Sequence, residues 1–177
     1  MPLDQLAHDF LSRLNAAVKR KVTVVFVGGN ALVFLGFKGA TADVDIVCRS
    51  VEPEVAKFCA EYLSRYKVKA EFFVDALFKG IRVKDYRNQA YSIKQDEFPN
   101  IDLKILHIYD VLLMKIDRLL PRDMDDIVAV LSKSEISKKE LDARFNYLMK
   151  FTMASHKENF MEKYKAFNKQ LGQLLKP

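Results

Sequence analysis

The strongest constraint on the fold is a β-branched run that ends abruptly at two glycines. Residues Val22–Val27 read Val-Thr-Val-Val-Phe-Val, a composition that favours a strand, and Gly28-Gly29 stops the run. Asn30–Leu35 then reads as a short helix that ends near Gly36. The sequence therefore predicts a strand, a tight turn and a helix in direct succession.

A second predicted strand, Asp43–Cys48, carries two acids at alternate positions. Because successive strand residues point to opposite faces, the side chains of Asp43 and Asp45 should share one face. Two neighbouring carboxylates repel each other unless a positive group lies beside them. This strand is therefore the first candidate for a site that holds a cation.

Further helices and strands follow in alternation. Apolar spacing predicts helices over the N-terminal residues as far as Lys21, Glu52–Tyr66, Tyr109–Leu120, a stretch opening at Arg122 after Pro121, and Lys138–Phe151. Predicted strands are Val68–Val74 and Ile101–His107, with weaker signals at Ile81–Tyr86 and Tyr91–Lys94. The β-α-β order predicts an α/β fold of mixed α+β character, with a mixed sheet flanked by helices. We expect a core over residues 1–131 and a helical C-terminal extension over residues 132–177.

Composition limits the environment and the partners. A chain of 177 residues is long enough for one well-buried core with an appendage, and its net charge of +6 favours polyanionic partners such as nucleotide or RNA. Cys48 and Cys59 show no metal or redox spacing, which indicates reduced core thiols. With no signal segment and no apolar run long enough to span a bilayer, we expect a cytoplasmic protein without a membrane partner.

The glycine turn and the acid pair together suggest phosphate chemistry. Two glycines at a helix N-terminus let backbone N–H groups approach a phosphate, and carboxylate oxygens are ligands that Mg²⁺ prefers. Each half has a simpler explanation, because Gly28-Gly29 could be only a turn and Asp43-Val-Asp45 could face solvent on an edge strand. Their order and their separation of about a dozen residues favour a catalytic site.

These segments resemble the nucleotidyltransferase superfamily, whose signature is a Gly-Gly or Gly-Ser turn followed by an acid-x-acid pair. Gly28-Gly29-Asn30-Ala31-Leu32 and Thr41-Ala42-Asp43-Val44-Asp45 carry the match. The later segment Leu112–Ile127 is similar to a Lys, Arg, Arg-Asp, Asp motif of the AbiEii-like branch of minimal nucleotidyltransferases. The resemblance implies a mixed sheet with helices, magnesium-dependent use of a nucleoside triphosphate and, in some relatives, toxin activity against tRNA or protein.

The resemblance also assigns roles to individual residues. It makes Asp43 and Asp45 metal ligands and catalytic residues, and Lys115 a catalytic contact to phosphate or substrate. The nucleotide-binding set that it implies is Gly28, Gly29, Asn30, Thr41, Arg118, Arg122 and Asp123. The alternative for the later motif is a solvated basic face in which Arg122 pairs with Asp126.

Two positions depart from the family pattern. Many members have a third metal-binding acid on a later strand, for which this chain offers Asp75 or Asp102. The usual basic or hydroxyl residue between the glycines and the acids is reduced here to Lys38 and Thr41. These departures leave room for a degenerate fold that binds nucleotide or RNA without turnover.

A C-terminal apolar stripe allows a third hypothesis. Its members recur at helical spacing, namely Phe160, Tyr164, Phe167, Leu171 and Leu174. The stripe could dock a partner such as a cognate antitoxin or a second copy of the chain. Amphipathic helices more often pack on their own core, and we expect that arrangement here.

Overall fold

The computed structural model describes residues 4–48, 53–66, 68–74, 89–93 and 96–176. Within these ranges the chain divides into two compact units, one ending at His107 and one beginning at Ile108, which we call the sheet unit and the helical unit. The sequence prediction placed the division later, after Leu131. Asp75 and the weak strand Ile81–Tyr86 lie outside the described residues.

A five-stranded mixed sheet forms the centre of the sheet unit, which confirms the predicted fold class. Its strands are β1 (Val22–Phe26), β2 (Asp43–Cys48), β3 (Lys69–Val74), β4 (Tyr91–Ser92) and β5 (Ile101–Ile105). The spatial order is β3-β2-β1-β5-β4. β1 runs antiparallel to β2 and parallel to β5, β2 runs parallel to β3, and β4 runs antiparallel to β5. The weakly predicted strand at Tyr91 is only two residues long.

Three helices belong to the sheet unit, namely α1 (Gln5–Ala17), α2 (Gly28–Phe34) and α3 (Pro53–Tyr66). The Asp4 side chain caps α1 by accepting a 2.7 Å hydrogen bond from the Ala7 N–H. The apolar face of α1 is buried, and Phe10 meets Tyr62 of α3 edge to face at 5.1 Å between ring centroids. Both free cysteines are buried, as the sequence predicted.

The helical unit consists of α4 (Ile108–Arg118), α5 (Pro121–Lys133), α6 (Lys138–Met149), α7 (Ala154–Leu171) and a 3₁₀ turn (Gly172–Leu174). Pro121 begins α5 at a position where its missing N–H costs no hydrogen bond. None of the helices in the described ranges is long and apolar enough to cross a membrane.

The C-terminal stripe packs mainly inside the helical unit. Phe160, Tyr164 and Phe167 are buried, and Tyr164 stacks on Phe145 of α6 with ring centroids 3.9 Å apart. Leu174, the last member of the stripe, is exposed. Most of this apolar face is therefore already used by the core of the helical unit.

Candidate functional site

The turn between β1 and α2 brings main chain directly against an acid of β2. Gly28 has φ of +54°, in the left-handed region that glycine adopts without steric strain. A Cβ atom at this position would lie 2.9 Å from Asp45 Oδ2. A side chain would thus be both strained and crowded, so the close approach of backbone to the Asp45 carboxylate depends on glycine.

Gly29 makes the corresponding approach to the segment that precedes Asp43. A Cβ atom on Gly29 would lie 2.8 Å from Thr41 Oγ1. The Thr41 hydroxyl in turn donates a 2.8 Å hydrogen bond to Asp43 Oδ1. The turn therefore lies against Asp45 directly and is linked to Asp43 through Thr41.

Asn30 anchors the backbone of β2 from the first turn of α2. Its Oδ1 accepts a 2.9 Å hydrogen bond from the Asp45 N–H, and the Asp45 carbonyl accepts a 3.1 Å hydrogen bond from the Val27 N–H. The Asn30 side chain is only 3% exposed, and its Nδ2 has no hydrogen-bond partner among the described residues. The family resemblance assigns Asn30 to nucleotide binding, and the sequence alone does not reveal this contact with Asp45.

The donor set at the head of β2 is chemically suited to Mg²⁺. Asp43 and Asp45 are partly buried and supply hard carboxylate oxygens, and Mg²⁺ is commonly held by one or two carboxylates together with substrate phosphates. The described residues contain no group of three or more His, Cys, Asp or Glu side chains that could hold a metal. In the backbone register, Asp45 lies opposite Glu71 and Asp43 opposite Lys69 of β3, a pairing that the sequence did not reveal.

Asp102, one of the two candidates for a third acid, lies at a different level of the sheet. It pairs in register with Thr23, whose hydroxyl donates a 3.0 Å hydrogen bond to Asp102 Oδ2. Val27, which bonds to Asp45, is four residues further along the chain, a separation of about 13 Å in extended strand. The register therefore argues against Asp102 as a ligand of the same ion. Asp75, the other candidate, is not among the described residues.

The later motif forms a separate ion-pair cluster inside the helical unit. Lys115 is 3% exposed, and its Nζ lies 2.6 Å from Asp126 Oδ2 and 3.2 Å from Asp123 Oδ1. Arg118 contacts the same Asp123 carboxylate through Nε and a terminal nitrogen at 3.2 and 2.5 Å. Asp126 thus pairs with Lys115, whereas the solvated-face alternative paired it with Arg122. Arg122 itself is exposed.

Asp123 is the centre of this cluster. It is fully buried, and the Leu120 N–H also donates to its Oδ2 at 3.3 Å. Burial opposes ionisation, but the hydrogen bond from Arg118 and the charges of Lys115 and Arg118 outweigh it and lower the pKa of Asp123. Direct contact between nucleotide and Asp123 or Lys115 would require these pairs to open.

The structure thus brings the predicted site residues together in two groups. Gly28, Gly29, Asn30, Thr41 and the acid pair meet in the sheet unit. Lys115, Arg118 and Asp123 meet in the helical unit.

Comparisons with known proteins bear on the family and the fold. A family model described as "Nucleotidyltransferase of unknown function (DUF6036)" matches residues 3–172. In fold the chain is similar to the crystal structure of an antigenic nucleotidyltransferase-like protein from Paracoccidioides brasiliensis, with a TM-score of 0.50 and 12% identity over 97% of this chain and 91% of that chain. No curated protein matches the sequence. The comparisons do not name the AbiEii-like branch.

Proposed function

Since this chain belongs to the family of nucleotidyltransferases of unknown function, we propose that it is a magnesium-dependent enzyme that moves a nucleotide from a nucleoside triphosphate to a hydroxyl acceptor on RNA or protein. One observation carries the proposal. The turn at Gly28-Gly29 lies against Asp45 and Thr41, and Thr41 holds Asp43. Backbone donors and metal-type acids are thus adjacent.

Each predicted site residue of the sheet unit has a role in the proposed reaction. The first N–H groups of a helix lack intrahelical partners, so those at the start of α2 are suited to phosphate oxygens. Asp43 and Asp45 would hold Mg²⁺, which when bound offsets the charge of the carboxylates and the triphosphate. Thr41 and Asn30 fix the two acids in place, one through the Asp43 carboxylate and the other through the Asp45 backbone.

In the helical unit we distinguish residues that support the fold from residues that would contact phosphate. Lys115 holds Asp123 and Asp126 in a buried cluster, so we assign it a supporting role. Arg118 and Arg122 both have exposed side chains and remain the candidates for phosphate contact.

The test is transfer of label from each nucleoside triphosphate to total cellular RNA or protein in the presence of Mg²⁺. Wild type is compared with an Asp43→Asn, Asp45→Asn double variant, which keeps the side-chain shape and removes the charge. An Asp125→Asn variant is the matched control, because Asp125 is exposed on α5. We expect transfer by wild type and by the control and none by the double variant. Equal transfer by all three proteins would refute the assignment of the acid pair.

A binding-only protein is the second candidate, and two observations favour it. Asp102, one candidate for a third acid, lies at a different level of the sheet, and Lys115 is buried in ion pairs. This alternative predicts Mg²⁺-dependent binding of nucleoside triphosphate that depends on the acid pair, with no labelled product on any acceptor. Equilibrium binding and transfer measured on the same samples separate the two functions.

We further propose the AbiEii-like relationship and a toxin role, which rest on the later motif from Leu112 to Ile127. A toxin of this kind should arrest growth of a host cell on induction, and the Asp43→Asn, Asp45→Asn variant should not. A cognate antitoxin would relieve the arrest. Unimpaired growth of cells that contain active wild-type enzyme would refute the toxin role and leave the enzymatic proposal intact.

A further inference from the structure

The helical unit contains a pocket that shares only Arg118 with the proposed nucleotide-binding residues. It has a volume of about 520 Å³ and lies between the C-terminal end of α4 and the first half of α7. Its polar lining consists of Asp117, Arg118, Ser155, His156, Asn159 and Lys163. We call it the α4–α7 pocket.

The acid of the pocket is already engaged by its neighbours. The Asp117 carboxylate lies 2.7 Å from His156 Nε2, and its side chain is 7% exposed. The Lys163 ammonium donates to the Asp117 backbone carbonyl. Burial raises the pKa of Asp117, although the neighbouring His156 and Lys163 oppose that rise. A ligand in the pocket would therefore meet an Asp117 carboxylate that already has a hydrogen-bond partner.

The remaining polar lining is rich in hydrogen-bond donors. The Lys163 ammonium has three N–H groups, of which the Asp117 carbonyl takes one. The Arg118 side chain is 47% exposed, although it also contacts Asp123. Neither the Ser155 hydroxyl nor the Asn159 amide has a side-chain hydrogen bond within the described part of the chain. These groups suit a ligand with several acceptor oxygens and a negative charge.

We propose that the α4–α7 pocket binds the phosphate group of a phosphate ester. Phosphate supplies several charged acceptor oxygens, and Arg and Lys side chains are its usual protein partners. The proposal goes beyond nucleotidyl transfer, because it requires neither the Asp43 and Asp45 pair nor a metal ion. The ester comes from a free nucleotide or from an RNA strand.

A simpler role for two of these residues makes a different prediction. His156 and Lys163 lie at the C-terminal end of α4, where cations compensate the helix dipole and satisfy free carbonyls. If capping were their only role, a change at Asn159, which is exposed and contacts neither Asp117 nor Arg118 by a hydrogen bond, would leave phosphate binding unchanged. Asn159 is therefore the decisive position.

The test measures binding of three probes to the full-length protein with EDTA present, at fixed ionic strength near 0.15 M. The probes are inorganic phosphate, ATP and a short single-stranded RNA. The variants are Lys163→Gln and Asn159→Glu, each with a control of equal charge change on α7, Lys165→Gln and Gln170→Glu, whose positions are exposed and do not line the pocket. We expect the pocket variants to weaken binding about tenfold or more and the controls to change it less than about twofold.

Every outcome bears on the proposal. Stronger binding of RNA than of ATP identifies nucleic acid as the source of the ester, and the reverse identifies free nucleotide. Equal losses in pocket and control variants would mean diffuse attraction to a basic surface and would overturn the proposal, as would no saturable binding of any probe. Thermal unfolding checks the fold, and if Lys163→Gln unfolds then Asn159→Glu decides.

The result is also independent of catalysis. The binding measurement contains EDTA and no metal ion, so it does not depend on the proposed transfer reaction. If the wild type transfers no nucleotide and Asn159→Glu weakens phosphate binding, the pocket proposal stands and the proposed function fails. If the wild type transfers nucleotide and Asn159→Glu leaves phosphate binding unchanged, the proposed function stands and the pocket proposal fails.

Discussion

At the residue scale, the proposed site depends on the absence of a side chain at two glycines. Gly28 and Gly29 lack Cβ atoms that would come within 3 Å of Asp45 and Thr41 oxygens. The turn can therefore lie close to the carboxylates without displacing them. Real Cβ atoms essentially never approach other atoms so closely, so a side chain at Gly28 must shift the turn or Asp45, and one at Gly29 must shift the turn or Thr41.

Gly28→Ala tests this packing. The left-handed φ of +54° costs a non-glycine residue about 1–2 kcal/mol, and the new methyl group would also press on Asp45 Oδ2. We expect the free energy of unfolding to fall by about that amount and nucleotidyl transfer to be lost. Gly39→Ala is the control, because a Cβ at Gly39 meets nothing within 4 Å. Urea denaturation and label transfer measure both effects, and equal behaviour of the two variants would contradict the role of Gly28.

Thr41→Val tests whether the hydroxyl group positions Asp43. The substitution keeps the volume and removes the donor that lies 2.8 Å from Asp43 Oδ1. We expect weaker Mg²⁺ binding, with half-maximal activity shifted to metal concentrations about three- to tenfold higher, in line with the loss of one charge-assisted hydrogen bond. Thr41→Ser should restore the wild-type value. A Mg²⁺ titration that is the same for all three proteins would remove Thr41 from the site.

At the element scale, the link between α4 and α5 is held by the buried acid at its centre. Leu119 has φ of +52°, a conformation that ends α4, and Asp123 then contacts Arg118, Lys115 and the Leu120 N–H. The charges that the resemblance assigns to phosphate binding thus join two helices. Removing one partner of a buried pair leaves the other charge uncompensated.

Lys115→Met separates a supporting role from a phosphate contact. Because Asp123 and Asp126 would lose a buried cationic partner, we expect the free energy of unfolding to fall by about 3–5 kcal/mol. Arg122→Ala, at an exposed position of the same motif, should change it by no more than about 0.5 kcal/mol. Chemical denaturation gives both values. A stable Lys115→Met protein with impaired nucleotide binding would restore Lys115 to the binding site.

The same cluster should make stability depend on pH. Burial raises the pKa of Asp123, but the hydrogen bond from Arg118 and the charges of Lys115 and Arg118 together outweigh that rise, so the folded pKa lies below the unfolded value. The unfolded protein therefore binds the proton more readily, so the stabilisation is present above pH of about 4 and is lost as pH falls through the folded pKa. We expect the free energy of unfolding to decline more steeply below that pH in wild type than in Asp123→Asn. Equal acid slopes would show that Asp123 does not contribute.

Local sequence patterns predicted the elements that carry the site. They did not predict contacts between residues that are far apart in the sequence. The Val22–Val27 run and the alternation around Asp43 and Asp45 gave β1 and β2, because strand formation leaves a direct trace in residue type. The Asn30 contact with the Asp45 N–H spans fifteen residues and depends on strand register, which periodicity does not encode. Likewise, the pairing of Asp126 with Lys115 joins two helices across eleven residues, whereas helical spacing within one helix suggested Arg122.

At the scale of the whole molecule, the residues of the proposed metal site are arranged for binding at the expense of stability. Asp43 and Asp45 share one face of β2, where two negative charges repel in the absence of a cation. Asn30 also keeps a buried Nδ2 without a partner among the described residues. Strained or unsatisfied groups of this kind are common where function opposes stability.

Magnesium should therefore stabilise the folded protein through the acid pair. A ligand that binds only the folded state at 100 times its Kd adds about 2.7 kcal/mol, and each kcal/mol raises Tm by about 2–4 °C in a chain of this length. We expect Mg²⁺ to raise the Tm of wild type by several degrees and to leave the Asp43→Asn, Asp45→Asn variant unchanged. Without metal, the double variant should melt at the same or a higher temperature, because the repulsion is gone. Asp102→Asn should respond to Mg²⁺ as wild type does, since Asp102 lies about four residues along the sheet from the pair. An equal Mg²⁺ response in wild type and the double variant would place the cation elsewhere and would leave the two carboxylates without their proposed partner.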